Sequence, residues 1–585
     1  MGDSRLWQLL LPITVIGLLA SLASAADVED FDWESITPSS TLSYKPCYQD
    51  LQCARLIVPL DWQNSSNPHN VVLAIAKLPA KVSDDNHMFG GTIFTNPGGP
   101  GGSGIDHLLR RGHDLQVIAG TQYEILSWDP RGVGHTSPGA DCYRGDIMAR
   151  DVADIQAEAI GPLDASHDAF RRRWAGAKAA GQMCQATMEE GSILPYLSTA
   201  SVVRDMVAML DQVHAPKFHA GMDVGAGTEK VLEPMDVPRI MYWGFSYGSI
   251  LGNTFASMYP GRVGRMILDG IADADDYVKG TWLTNLQDAD AVLEDFYRGC
   301  FSQDRSCSLK KSSDTKWEDI KNRVDGFITQ TTQNPITIID NHDITVITGA
   351  DIQLAFIPTL YAPLSLSRHL SDLLSDALGG NYTLLRADMA QTSPKLHDYC
   401  ASEPKPFTGR DAAHAIKCAD GEDETNHGMA YFQSYLDELK SQSQALGQHW
   451  TKIRLACSGW STRPKWRFTG PFTTPEPDAS LVEGKPAAPI LFLSSRLDPV
   501  TPVRNAVNMA QGHPSAAVVI REGAGHCAAS APSTCIFRII REYLDKAVMP
   551  ENGTSCLPDC DPWTPCPLSI KLLDNSLLSR RHFFL

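Results

Sequence analysis

The sequence predicts an α/β fold: a mostly parallel sheet flanked by helices, with a large helical insertion. Three observations predict it. Short apolar runs of strand character alternate with helical runs from Gly91 to Gly270, the pattern that crossover-connected parallel strands produce. The alternation stops from 276 to 480 and resumes at Ala488-Pro489-Ile490-Leu491-Phe492-Leu493-Ser494. Several strand-like runs also end abruptly in turns rich in Gly, Pro and polar residues, the kind of loop on which sites gather in such sheets. The chain divides accordingly into a leader (1–25), an N-terminal part of the core (26–275), a helical cap (276–480), a C-terminal part of the core (481–550) and a Cys-rich tail (551–585).

The leader opens Met1-Gly2-Asp3-Ser4-Arg5, continues as an apolar run from Leu6 to Leu22 and closes Ala23-Ser24-Ala25. This reads as a signal peptide cut before Ala26. Gln8, Pro12 and the small-residue exit argue against a retained anchor, and no later run has the length and apolarity of a membrane span. The expectation is a secreted chain, extracellular or vacuolar, with no stable membrane association. Fourteen cysteines suit an oxidising compartment. Asn64, Asn381 and Asn552 head glycosylation sequons. The composition, 43% hydrophobic and 20% charged, is that of an ordinary globular protein. A net charge of −18 argues against a nucleic-acid partner, which would require a basic surface.

Residues 27–43 have little periodicity. Leu56-Ile57-Val58-Pro59-Leu60 and Val71-Val72-Leu73-Ala74-Ile75-Ala76 read as opening antiparallel strands, with Cys47 and Cys53 placed to close a small loop. Gly91-Thr92-Ile93-Phe94-Thr95-Asn96 is a buried-type strand running into Pro97-Gly98-Gly99-Pro100-Gly101-Gly102-Ser103-Gly104 and a helix through Leu108. Gly99, Gly101 and Gly104 match a dinucleotide-binding spacing, with Glu124 downstream as the ribose acid. Pro100 stiffens that turn, and an exported protein meets little dinucleotide, so no cofactor is expected. A P-loop fails because no Lys-Ser/Thr follows the glycines. The loop reads better as bare backbone N–H groups facing a reacting oxygen.

Tyr123-Glu124-Ile125-Leu126-Ser127-Trp128 is a strand ending in Asp129-Pro130-Arg131-Gly132-Val133-Gly134, where an Asp129/Arg131 pair would fix a turn, with a substrate contact as the alternative. Residues 141–190 read as a helical excursion that Cys142 and Cys184 could staple. Val202, Val203, Met206, Met209 and Leu210 recur at helical spacing, and 214–237 reads as a loop. The tail cysteines Cys556, Cys560 and Cys566 could ligate zinc. Disulfides are the default in this compartment, so no metal is expected.

The chemistry concentrates at Ile240-Met241-Tyr242-Trp243-Gly244-Phe245-Ser246-Tyr247-Gly248-Ser249. A strand, a Gly-x-Ser-x-Gly turn and a helix form the context of a nucleophile elbow. Gly244 and Gly248 allow the cramped turn, and the helix N-terminus favours developing negative charge at Ser246. Asp498 and His526 follow later strands, and a base beside a serine with an acid behind the base is the constellation of acyl transfer. His526 would remove the Ser246 proton, and Asp498 would orient and stabilise the imidazolium. Tyr247 N–H, just after the nucleophile, would be one oxyanion donor, with the second from the 98–102 loop.

Together, Asn96 to Gly104, Trp128 to Gly134, Gly244 to Gly248, Leu497-Asp498-Pro499-Val500-Thr501-Pro502 and Gly525-His526-Cys527 resemble the tripeptidyl aminopeptidase-like α/β hydrolases, relatives of the prolyl aminopeptidases. The resemblance covers the catalytic halves and the stretch from about 450 to 556, and the cap matches less distinctly. It implies an α/β-hydrolase fold, Gly99 as the second oxyanion donor, and serine exopeptidase action at peptide N-termini. Residues 214–237 exceed the family's usual short link before the elbow strand. Relatives include esterases, so the expected substrate is a peptide, with a small ester or lactone as the alternative. A catalytically dead interaction scaffold is disfavoured by the intact Ser246, Asp498, His526 set.

Overall fold

The apolar runs pair into one sheet whose strand ends line up the turns singled out above. The computed structural model describes residues 31–220, 237–302, 306–340, 343–394, 396, 409–564 and 566. The leader 1–25 therefore lies outside the described residues, as do 221–236. The strands are β1 (Lys45–Cys47), β2 (Leu51–Pro59), β3 (Asn70–Leu78), β4 (Gly91–Asn96), β5 (Tyr123–Trp128), β6 (Ile240–Phe245), β7 (Val263–Asp269), β8 (Ile336–Asp340), β9 (Asp343–Ile347), β10 (Leu491–Leu497), β11 (Ala517–Ala524) and β12 (Ser555–Cys556). Among the described residues ten of them form one sheet, in the order β1-β2-β3-β5-β4-β6-β7-β10-β11-β12. The pairs β1–β2, β2–β3 and β3–β5 are antiparallel, and every pair from β5–β4 onward is parallel.

Parallel strands flanked by crossovers are covered on both faces, and their sequences answer to this. All six residues of β5 are buried. Alternate side chains feed two cores: Phe94, Trp128, Tyr242, Leu268 and Phe492 on one face, Ile93, Ile125, Trp243, Ile267 and Leu493 on the other. The register sets Asn96 opposite Gly244, and Asp269 opposite both Phe245 and Leu493. The loops after β4, β6, β7, β10 and β11 therefore open at one sheet edge, where ligands bind in such folds. The helix Gly104–Ala119 starts on Ser103, whose side chain accepts from Asp106 N–H. A Cβ at Gly104 would run into the Trp128 carbonyl, so only glycine lets this helix lie so close to β5.

Between β7 and β10 the chain runs through helices that include Ala289–Ser302, Trp317–Gln333, Pro363–Leu378, Gly409–Asp420, Met429–Gln442 and Gly447–Leu455. The helices from Ala289 to Leu378 share a core around Phe296, Tyr297, Leu370 and Leu373, which Trp563 of the tail also enters, whereas Ala412, Ala415 and Ile416 of Gly409–Asp420 join the core on one face of the sheet. The hairpin β8–β9 stands inside this stretch, where the sequence reading expects helix. Its alternation leaves Ile339 and Ile344 exposed, and that exposed apolar pair conceals the strand period. Upstream, the helix Thr199–Ala220 continues past 213 into the stretch expected as a loop.

Asp129 and Arg131 do fix a turn, but with separate partners. Arg131 is fully buried and grips Asp205 through Nε and Nη2 at 2.7 and 2.6 Å. Asp129 accepts from Ser103 Oγ and from the N–H groups of Ile105 and His135. Glu124, the ribose acid of the dinucleotide spacing, is taken up by Lys77 and Thr92.

Disulfides join Cys47–Cys53, Cys142–Cys184, Cys300–Cys307, Cys418–Cys457, Cys535–Cys556 and Cys560–Cys566. Among the described residues Cys527 is the unpaired thiol, and it is buried. Cys400 lies outside them. Asn64, Asn381 and Asn552 are all exposed. No helix among the described residues is long and apolar enough to cross a membrane.

Candidate active site

Ser246 occupies the turn between β6 and the helix Tyr247–Met258 with φ 56° and ψ −124°. A side-chain-bearing residue in this region is strained, and such strain persists only where the surroundings over-determine it. Here they do. Ser246 N–H donates to Asp269 O at 3.0 Å, and Ser246 O accepts from the N–H and Oγ of Ser249. A Cβ at Gly244 would meet Gly248 O and the Tyr242 ring, and one at Gly248 would lie 2.7 Å from Asn96 O.

The Gly-rich loop lies directly against this turn. Asn96 Oδ1 accepts from Gly98 N–H at 3.0 Å, and Gly98 O accepts from Gly102 N–H at 3.1 Å. Gly98, with φ 97°, sits so close that a Cβ would be 2.8 Å from Tyr247 N and 2.9 Å from Ser246 Cβ. Gly99, Ser246 and Tyr247 line one open cavity of about 460 Å³, whose further walls include Tyr277, Trp282, Trp450 and Thr501.

Asp498 follows β10 and His526 follows β11. The His526 Nδ1 lies 3.0 and 3.1 Å from the two Asp498 carboxylate oxygens and 3.1 Å from Thr501 Oγ1. Asp498 also accepts backbone N–H groups from Val500, Thr501 and Cys527 at 2.8–3.0 Å. Burial pushes its carboxyl up, but the imidazole and these donors outweigh burial and hold it below its ordinary range. A carboxylate kept ionised on Nδ1 leaves Nε2 as the free face of the ring, the arrangement a general base requires.

Three residues that the sequence reading passed over complete the frame. Asp269 ends β7 fully buried. Its carboxylate accepts from Ala528 N–H and Ala529 N–H, while its carbonyl holds Ser246 N–H. One residue thus ties the elbow to the histidine loop. Burial raises its carboxyl to about 7, against the pull of those two N–H groups and of His526. Arg521, also buried, binds Ala524 O, Ala528 O, Ser495 Oγ and Ser530 Oγ and so clamps the same loop. Burial lowers it to about 10. From the inserted stretch, Tyr361 O accepts His526 N–H at 2.9 Å, and its ring meets the imidazole edge-on with centroids 5.1 Å apart. Asp269 stands in a legible strand end, a charge closing an apolar run. A backbone acceptor such as Tyr361 O leaves no mark in sequence.

The described residues contain no group of three or more His, Cys, Asp or Glu that could hold a metal ion. The tail cysteines are spent in disulfides.

Residues 91–323 match the α/β hydrolase fold family, and residues 443–556 match the TAP-like protein family. The chain has the α/β-hydrolase fold. Among its relatives is the serine protease Hip1 of Mycobacterium tuberculosis, 23% identical over 551 residues that cover 93% of this chain and 94% of that one. The tripeptidyl aminopeptidase of Streptomyces lividans is 29% identical over 258 residues, 43% of this chain and 40% of that one. Carboxylesterase B of Mycobacterium tuberculosis is 24% identical over 536 residues, 87% and 86% respectively.

Proposed function

We propose that this chain is a secreted serine peptidase that removes residues from free peptide N-termini through an acyl-enzyme on Ser246. The observation that carries the serine-hydrolase reading is the Asp498–His526 contact on a loop that Asp269 ties to the strained Ser246, which in turn shares its cavity with Gly99, Tyr247 and Thr501. His526 takes the Ser246 proton as Oγ attacks the scissile carbonyl. Asp498 stabilises the imidazolium, and the N–H groups of Gly99 and Tyr247 receive the oxyanion. His526 then protonates the leaving amine, and water repeats the cycle on the acyl-enzyme. None of these steps calls for a cofactor.

The peptidase reading draws support from the TAP-like segment and from the near full-length likeness to a serine protease. An aminopeptidase must pair the substrate ammonium in a partly dry site. Glu422 and Glu424 of the inserted stretch line a cavity that shares Trp282 with the Ser246 cavity. Glu424 is taken up by Arg454 and His427, so the role is assigned to the more exposed Glu422, which one Arg467 Nη2 contact holds. The domain division at 276 and 480 belongs to the same reading, with the insertion roofing the site so that it admits a chain terminus.

The test uses free-amine aminoacyl and peptide anilides, their N-acetylated forms and simple esters. Free-amine substrates are cleaved and blocked ones are not. Ser246→Ala folds and loses about 10⁴-fold or more in turnover. Neutralising Glu422 raises KM for peptides far more than for neutral esters. Equal rates on blocked and free peptides would remove the aminopeptidase reading. The second reading, an esterase, is favoured by the likeness to carboxylesterase B, and turnover confined to esters would establish it. Export is tested by the mature N-terminus, expected at Ala26, and by the loss of mass at Asn64, Asn381 and Asn552 on deglycosylation.

A further inference from the structure

The buried carboxylate of Asp420 ends the helix Gly409–Asp420 and faces the elbow rather than solvent. Its Oδ1 accepts Thr199 N–H at 2.8 Å. Its Oδ2 accepts the hydroxyls of Thr199 at 2.6 Å and Tyr277 at 2.9 Å. With its proton committed to Asp420, Thr199 Oγ1 is an acceptor toward the Tyr247 hydroxyl 2.5 Å away. The chain of bonds therefore has one direction, from Tyr247 through Thr199 to Asp420, with Tyr277 joining at the same oxygen. Tyr247 and Tyr277 also pack against each other, with centroids 5.7 Å apart, and both line the Ser246 cavity.

We propose that Asp420 is a positioning residue for the reaction: ionised, it fixes the Tyr247 and Tyr277 side chains and thereby the peptide that follows Ser246. This rests on the serine-hydrolase reading above, in which Tyr247 N–H is an oxyanion donor. A donor site of this kind works only when it is held in place before the charge develops. The tether comes from the inserted stretch, far from the elbow in sequence, and links that stretch to the elbow helix.

The charge state of Asp420 is the sensitive point. Every neighbour of its two oxygens is a donor, so a proton on the carboxyl, or an amide in its place, sets donor against donor and reverses the chain. Burial raises the Asp420 carboxyl to about 6, opposed by its bonds to Thr199 and Tyr277 and by Arg467. The other charged groups around it are known. Arg467 Nε donates to Asp420 O and its Nη2 to Glu422, Arg463 donates to Cys418 O and Gly421 O, and Lys417 lies one turn back on the same helix. Tyr247 and Tyr277 are themselves pushed well above their ordinary range by burial and stay neutral. Ionised Asp420 is the ordered state, so activity is retained above about pH 6 and lost as the pH falls through it. A histidine base falls off in the same direction. The wild-type acid limb then carries two protonations.

The experiment measures kcat and KM against pH for wild type, Asp420→Asn, Thr199→Ser and Thr199→Val, with a fluorophosphonate label mapped to Ser246 in each. Asp420→Asn is expected to lower kcat about 10- to 100-fold, to change KM less, and to reduce the acid limb to a single protonation. Thr199→Ser keeps the hydroxyl and behaves as wild type, whereas Thr199→Val matches Asp420→Asn. Wild-type kcat and an unchanged acid limb in Asp420→Asn would overturn the proposal. Should that variant not fold, wild-type kcat in Thr199→Val would overturn it equally. A wild type that hydrolyses and labels at Ser246 beside an indifferent Asp420→Asn defeats this inference alone. A wild type that does neither defeats the serine-hydrolase reading beneath it.

Discussion

Gly98→Ala drives one methyl group against the elbow. The residue has φ 97°, where an L side chain costs about 1–3 kcal/mol in backbone strain. The new Cβ would stand 2.5 Å from Phe245 O, 2.8 Å from Tyr247 N and 2.9 Å from Ser246 Cβ. None of these is the end of a flexible chain, so the loop and the elbow must part. The atom crowded most directly after Phe245 O is the nitrogen assigned to the oxyanion. Loss of one such donor costs about 10²- to 10³-fold in kcat. Gly145→Ala is the control, since Gly145 shares the strained sign of φ, at 80°, but has nothing within 4 Å of an added Cβ. Denaturant unfolding and kcat on an aminoacyl anilide are measured for both. Both variants lose stability, and only Gly98→Ala loses turnover. A folded Gly98→Ala with kcat within about threefold of wild type would show that the oxyanion is not bound between this loop and the elbow.

Asp498→Asn presents an amide to donors on every side, and turnover is expected to drop about 10⁴-fold; a loss of less than tenfold in a steady-state assay would deny Asp498 its role. Asp269 has a folded-state pKa of about 7, above the ordinary carboxyl value of about 3.9, so its protonated form is the one folding favours. Its contribution is fully present at low pH and is lost as the pH rises through that window. Urea midpoints of wild type should therefore decline relative to Asp269→Asn between about pH 4 and about pH 7, and parallel curves would contradict the burial argument. Thiol titration of the denatured, unreduced chain should find no thiols beyond those of Cys527 and Cys400, the residues outside the six disulfides; release of many more would refute the oxidised arrangement.

What the sequence made legible is local. Gly244, Ser246 and Gly248 announce a strand–turn–helix because each step has a steric reason confined to a few residues. The loops bearing Asp498 and His526 could be put at one sheet edge because parallel strands bring their C-terminal ends together. What it concealed is long-range. Asp129 and Arg131 looked like partners because they lie two residues apart, yet Arg131 binds Asp205. Asp420 carried no motif, since its meaning lies in Thr199 and Tyr277, which reach it across the fold. The hairpin β8–β9 was hidden by Ile339 and Ile344, which face solvent and so imitate a buried run.

The bond from His526 N–H to Tyr361 O bears on how this architecture can be re-engineered. Insertions of this kind invite exchange between relatives, in the hope of importing a new substrate range onto an unchanged catalytic base. Here the graft would have to supply a carbonyl at the same point, or leave the His526 N–H with no acceptor. A transplanted segment chosen only for the shape of its outer wall would lower activity toward every substrate alike, a uniform defect that a selection for new specificity would misread as poor fit.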